Sequence, residues 1–254
     1  MDFEKMNEIK NNLIFTREHI VSSAFIDSSV RLGIAQAALL VQDNLTESFA
    51  AMDCDGVVYR ERHNAFWVFT KTRIHFARRP AWREKISAST FPVDSAGFRT
   101  HVNTIFKDAS GATLLTANQE ACILSLENHR PLRLANLTYP KENFPPPIFC
   151  EPFEKFPEIV SEENFSFEQK IRSQQIDMSR HMNNIEYIRL ALNVFDDEFL
   201  QANEVAEIEV HYTGESREGQ MLRVFRRDEN CATFIAIQES ERTVFEMKIK
   251  FQEL

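Results

Sequence analysis

The chain has 254 residues, enough for one large domain or two ordinary ones, and its 43 % hydrophobic and 26 % charged content is that of a globular protein folding in water. A net charge of −9 argues against a general nucleic-acid binder, and no run approaches the roughly 20 apolar residues that span a bilayer. The polar start, residues 1–11, does not read as a secretory signal, so the cytoplasm is the expected compartment.

In chain order, Phe15-Thr16-Arg17-Glu18 opens a first strand. Ile26-Asp27-Ser28-Ser29 leads into an apolar segment, 30–41, containing Leu32, Ile34, Ala35, Ala38, Leu39 and Leu40. That segment is apolar on all sides, which predicts a helix wrapped by other structure. Strands are predicted at 66–76, 85–91, 98–106 and 112–126, with Asp108-Ala109-Ser110-Gly111 as a turn. From 136 to 161 come Pro140, Pro145, Pro146, Pro147, Pro152 and Pro157, a density that excludes helix and central strand and predicts a semi-extended linker. Beyond it a second helix is predicted over 185–195. In 206–212, Ala206, Ile208, Val210 and Tyr212 alternate with Glu207, Glu209 and His211, and the segment 245–251 alternates likewise.

The two parts of the chain repeat one another. Phe165-Ser166-Phe167-Glu168 answers Phe15-Thr16-Arg17-Glu18, and Ile176-Asp177-Met178-Ser179 answers Ile26-Asp27-Ser28-Ser29, both at an offset of 150. His211-Tyr212 answers His75-Phe76 at an offset of 136, so the second half is about 14 residues shorter between helix and strands. Each half is thus a strand, a buried helix and a run of mostly antiparallel strands. A sheet curled around one central helix is the hotdog arrangement. The expected class is α+β: two tandem hotdog domains, 1–135 and 163–254, each an antiparallel sheet wrapped around a central helix, with a Pro-rich linker at 136–162.

Asp177-Met178-Ser179-Arg180-His181-Met182-Asn183-Asn184-Ile185-Glu186-Tyr187 resembles the active-site motif of plant and bacterial acyl-acyl carrier protein thioesterases, Asp-x-Asn-x-His-x-Asn-Asn, an apolar residue, and an aromatic two later. Trp67-Val68-Phe69-Thr70-Lys71, Arg79-Pro80-Ala81-Trp82, Asp108-Ala109-Ser110-Gly111 and Arg130-Pro131-Leu132-Arg133 add to the likeness, which runs from about Phe15 to Phe251. The resemblance implies Asp177, Ser179, His181 and Glu215 as catalytic positions, no cofactor, no metal, and acyl carrier protein as partner. Two departures matter. Ser179 stands where the family has an amide, and Ser216 stands where a cysteine was once considered a nucleophile. The second departure leaves water attack.

An imidazole can hydrogen-bond the water or the thioester, and Asp177, expected at a strand end, would orient it while Glu215 serves as base. Asn183 and Asn184 open the second helix, where they cap free backbone donors or bind substrate. In the first half Arg31 stands at the position of His181, so that half would supply pocket walls. Arg78, Arg79, Arg83 and Lys85 around Trp82, joined by Arg226 and Arg227, are read as a basic patch for an acidic carrier or the phosphate of its pantetheine arm, with a charge-guarded sheet edge as the bland alternative. No Gly-x-Gly-x-x-Gly loop, Gly-x-Ser-x-Gly elbow or His-Glu-x-x-His occurs. The four cysteines, Cys54, Cys122, Cys150 and Cys231, match no metal spacing and are expected as buried free thiols. The expected activity is hydrolysis of fatty acyl-carrier protein thioesters by a monomer or homodimer. An acyl-coenzyme A thioesterase, a hotdog dehydratase and a non-catalytic acyl-thioester binder stay open beside it.

Overall fold

A computed structural model describes residues 13–252 apart from 96 and 150, so the polar start and Cys150 lie outside the described residues. The first half runs β1 (Phe15–Ile20), α1 (Ile34–Ala51), α2 (Gly56–His63), β2 (Ala65–Phe76), β3 (Lys85–Pro92), β4 (Arg99–Asp108) and β5 (Thr113–Ser125). The second runs β6 (Phe165–Lys170), α3 (Asn184–Leu192), α4 (Asp197–Ala202), β7 (Val205–Tyr212), β8 (Met221–Glu229), β9 (Ala232–Glu239) and β10 (Arg242–Phe251).

All ten strands join one sheet in the order β1-β3-β4-β5-β2-β7-β10-β9-β8-β6, every neighbouring pair antiparallel. Read inward from either edge, the halves have the same strand order, so the β2–β7 ladder marks a pseudo-two-fold axis. Each half is a hotdog-type sheet with its helix on the inner face. One core serves both: Ala38 and Val41 of α1, Ile188 and Ala191 of α3, and Ile74, Ile208, Val210 and Met247 of the sheet belong to a single buried cluster. Full burial of each Val, Ile or Met among these stabilises by roughly 1.5–3 kcal/mol.

The first helix begins later than expected and ends later. Residues 26–32 close a small hairpin, in which Ile26 bridges Leu32 and Val30 takes a left-handed φ of 59°, so the helix starts only after Gly33. It continues past Val41 with its polar donors placed inside: Asn44 donates to Thr90 Oγ1 at 2.7 Å and Ser48 to the Leu45 carbonyl at 2.7 Å.

Glu207, Glu209 and His211 alternate with apolar partners as expected, but their face is not open to solvent. The proline-rich linker crosses it as a strap. Arg73 donates to the Pro152 carbonyl at 2.7 Å, the Glu154 N–H donates to Glu209 at 2.8 Å, and Phe156 stacks on His211 with ring centres 4.2 Å apart. Cys54 and Cys122 are buried, and burial pushes the Cys54 thiol up to about 12. Cys231 is exposed, contrary to expectation, because it sits in the β8–β9 turn.

On the same face, Asp94 bonds the His101 ring at 2.7 Å and, with Glu120, raises the imidazole to about 9. Because the folded value lies above the ordinary 6.5, this contribution is complete below pH 6.5 and is lost as pH rises through 9. Urea denaturation at a series of pH values is expected to show stability falling across that window, and His101→Gln to flatten the slope. A wild-type stability constant between those limits would remove His101 from the account.

Candidate active site

The second half repeats the small hairpin of the first. Ile176 bridges Met182, the Asp177 N–H donates to the His181 carbonyl at 2.9 Å, and Arg180 takes a φ of 64°. Asp177 thus lies in a turn, past a 3-10 turn at Ser173–Gln175, and not at a strand end. Its carboxylate accepts from the Ser179 N–H at 2.8 Å, and among the described residues it makes no bond to the imidazole. Asp177 shapes the loop that carries His181.

Glu215 follows β7 and reaches that loop because the Met182 N–H donates to the Ser216 carbonyl at 2.8 Å. The result is His181 Nε2 at 3.2 Å from Glu215 Oε2, with 21 % and 49 % of the two side chains exposed. This is the pairing that the site offers chemically: an imidazole and a carboxylate in contact, both reachable by water.

Two hydroxyls close by were given no role on sequence grounds. The Ser216 and Tyr187 hydroxyls are buried close to one another, and neither completes a hydrogen bond of good geometry among the described residues. Burial pushes the Tyr187 hydroxyl up, with Ser216 acting in the opposite direction. A buried, unpartnered hydroxyl is costly, which makes this spot fit for a polar atom of water or substrate.

Asn183 caps α3 by accepting from the Ile185 N–H at 2.8 Å. Asn184 donates to Gln42 of α1 at 3.3 Å, a contact between the halves. The side chain of Ser179 is exposed.

Within the expected basic patch Arg83 and Lys85 are exposed, but Arg78 and Arg79 are held by carboxylates. Arg79 is only 3 % exposed, and its guanidinium is taken up by Asp27, by Ser29 at 3.1 Å and by Glu204 at 3.4 Å, so it presents no charge to a partner. Arg78 is half exposed but is held by Glu84 at 2.7 Å and Asp108 at 3.0 Å. Arg226 and Arg227 lie on β8, near the opposite edge of the sheet. Under the offset of 136, Arg79 is the counterpart of Glu215. Where the second half holds Asp177, His181 and Glu215, the first holds Asp27, Arg31 and Arg79, closed by Glu204 into ion pairs.

A pocket of about 420 Å³ opens beside Glu215, lined by His129, Gly214, Arg217, Gln220 and Arg242 as well. Its walls are polar, unlike those of a channel for an acyl chain. A larger pocket of about 610 Å³ lies past the end of α1 and touches none of the candidate residues.

The family model of the acyl-ACP thioesterase N-terminal domain matches residues 12–138, and that of the acyl-ACP thioesterase C-terminal domain matches residues 160–253. The chain belongs to the acyl-ACP thioesterase family. It is 22 % identical over 173 residues to the chloroplastic oleoyl-acyl carrier protein thioesterase 2 of Arabidopsis thaliana, covering 61 % of this chain and 46 % of that protein. The chain therefore spans less than half the length of this curated relative. Among solved structures, an acyl-ACP thioesterase from Bacteroides thetaiotaomicron superposes with a TM-score of 0.85 at 20 % identity, covering 96 % of this chain and 99 % of the other. The 12:0-ACP thioesterase of Umbellularia californica gives 0.82 at 12 % identity, covering 94 % and 97 %. At such identities the likeness is one of fold. No helix among the described residues is long and apolar enough to cross a membrane.

Proposed function

We propose that this chain hydrolyses fatty acyl thioesters held on acyl carrier protein, releasing the free acid and the carrier thiol and so ending chain growth. The observation that supports it most is the contact of His181 with Glu215 at 3.2 Å on a loop whose family produces thioesterases. A water held between His181 and Glu215 links the steps: Glu215 takes its proton and the oxygen adds to the thioester carbonyl. The carbon–sulfur bond then breaks, His181 protonates the departing thiolate, and the proton on Glu215 passes across the 3.2 Å contact to restore the imidazole. The positive end of α3, behind Asn183 and Asn184, faces the charge that develops on the carbonyl oxygen. Ser216 offers no thiolate, which fits direct water attack. In this reading residues 1–135 and 163–254 are two hotdog domains joined by the linker 136–162. The second carries the chemistry, and the enzyme works in the cytoplasm as a monomer or homodimer.

The test is a release assay with one acyl chain on carrier protein and on coenzyme A, following free thiol. Carrier substrate is expected to be preferred in kcat/KM. Preference for coenzyme A would move the substrate class, an enoyl product would mean dehydration, and binding without release would mean a non-catalytic acyl-thioester binder.

A further inference from the structure

The pocket beside Glu215 brings together two guanidiniums and an imidazole from three separate parts of the chain. His129 arrives from the turn after β5 in the first half, Arg217 from the loop after β7, and Arg242 from the start of β10. Most other arginines of the molecule are spent on carboxylates, but neither Arg217 nor Arg242 has an ion-pair partner among the described residues. Arg242 donates instead to the Glu215 carbonyl at 2.9 Å, which aims its guanidinium along the pocket wall. Gly214 makes that position possible, since a Cβ there would lie 3.2 Å from the Arg242 guanidinium carbon and 3.1 Å from Val244 Cγ1. The one carboxylate lining the pocket, Glu215, faces His181.

On a chain of net charge −9, an unpaired pair of guanidiniums beside an imidazole is a local reversal of field. Guanidinium forks match phosphate oxygens in pairs, and a pocket of about 420 Å³ is of the size that takes a small organic ligand. We propose that this pocket seats the phosphorylated pantetheine arm of the thioester substrate, its phosphate against Arg217, Arg242 and His129. The assignment rests on the thioesterase reading for the identity of the arm, and it gives that reading a place where the leaving group is held. The phosphate is common to the carrier-bound arm and to coenzyme A.

Calorimetric titration of the whole chain with 4′-phosphopantetheine and with unphosphorylated pantetheine tests the site without turnover. The phosphorylated arm is expected to bind about tenfold tighter or more, and His129→Gln/Arg217→Gln, two exposed positions, to abolish the difference. In the release assay the same double variant is expected to raise KM by about tenfold or more for acyl-carrier protein and acyl-coenzyme A while kcat holds, and to leave acyl-N-acetylcysteamine, which has no phosphate, unchanged. A rise confined to the carrier substrate also supports the site and assigns it to the carrier's arm. Equal binding of both arms by the wild type, or an equal KM rise on the truncated substrate, overturns the proposal. A chain that binds the phosphorylated arm tightly yet releases no thiol keeps the pocket and defeats the hydrolase reading instead.

Discussion

Replacing His181 with alanine is expected to lower kcat for thioester release by about 10²–10⁴-fold, with KM and thermal stability close to wild type. Stability should hold because the partner left behind, Glu215, is 49 % exposed and rehydrates easily. Glu215→Gln should give a loss of similar size, since the amide keeps the shape but cannot take the proton. The two side chains are in contact and the proposed mechanism has them act on one water, so the double variant is expected to be little worse than either single one. If the two losses multiply instead, the side chains work in different steps and the shared-water mechanism is wrong. If His181→Ala retains most of the activity, the reaction runs elsewhere on the molecule.

The site was legible in the sequence where chemistry follows local order, and illegible where it depends on the chain folding back. The hairpin around His181 is a short-range motif, so the family resemblance that implies its residues sits in one unbroken run, 177–187. The contact with Glu215 crosses from one loop to another and was reachable only through the family resemblance. Arg79 misled because, as a sequence, Arg78-Arg79-Pro80-Ala81-Trp82 reads as an exposed basic cluster. The carboxylates that bury it, Asp27 and Glu204, lie 52 and 125 residues away. Strands β8 and β9 were missed for a different reason: Arg226-Arg227 breaks the alternation of one, and Phe234-Ile235-Ala236-Ile237 leaves the other nearly continuous, so neither shows a clear period of two. His129 had no local signal at all. It enters the proposed phosphate site only because the fold carries the β5 turn of one half to the loop after β7 in the other.

Arg73→Met is expected to destabilise the protein by about 3–5 kcal/mol, the cost of taking the arginine from a buried ion pair and leaving its carboxylate only His211 and the Glu154 N–H. Arg73 and Glu209 are equivalent in the internal repeat and lie opposite each other in the β2–β7 ladder, which places the pair on the pseudo-two-fold axis. Glu209 is fully buried and Arg73 is 4 % exposed. Burial opposes the charge on Glu209, but bonds from His211 at 2.9 Å and from Arg73 outweigh it and hold the carboxyl below its usual range. A depressed folded value means that this contribution is present above the unfolded pKa and is lost as pH falls through the folded one, so the wild type should lose junction stability in acid and Arg73→Met should lose less. The pair also anchors the linker strap through the Pro152 carbonyl and the Glu154 N–H, so its removal loosens both the sheet junction and its cover. Two identical halves paired on this axis would bring a residue against its own copy, carboxylate on carboxylate or guanidinium on guanidinium. Joining the halves in one chain lets the two positions differ and turns a repulsion into an attraction. Arg73→Glu recreates the like-charged arrangement and is expected to fold poorly, while the exchange Arg73→Glu/Glu209→Arg should regain part of the lost stability because the axis is nearly symmetric. Urea denaturation of the three variants measures this directly. An Arg73→Met protein within about 1 kcal/mol of wild type would place the pair with weak surface bridges and leave the junction to its apolar neighbours, Ile74 and Ile208.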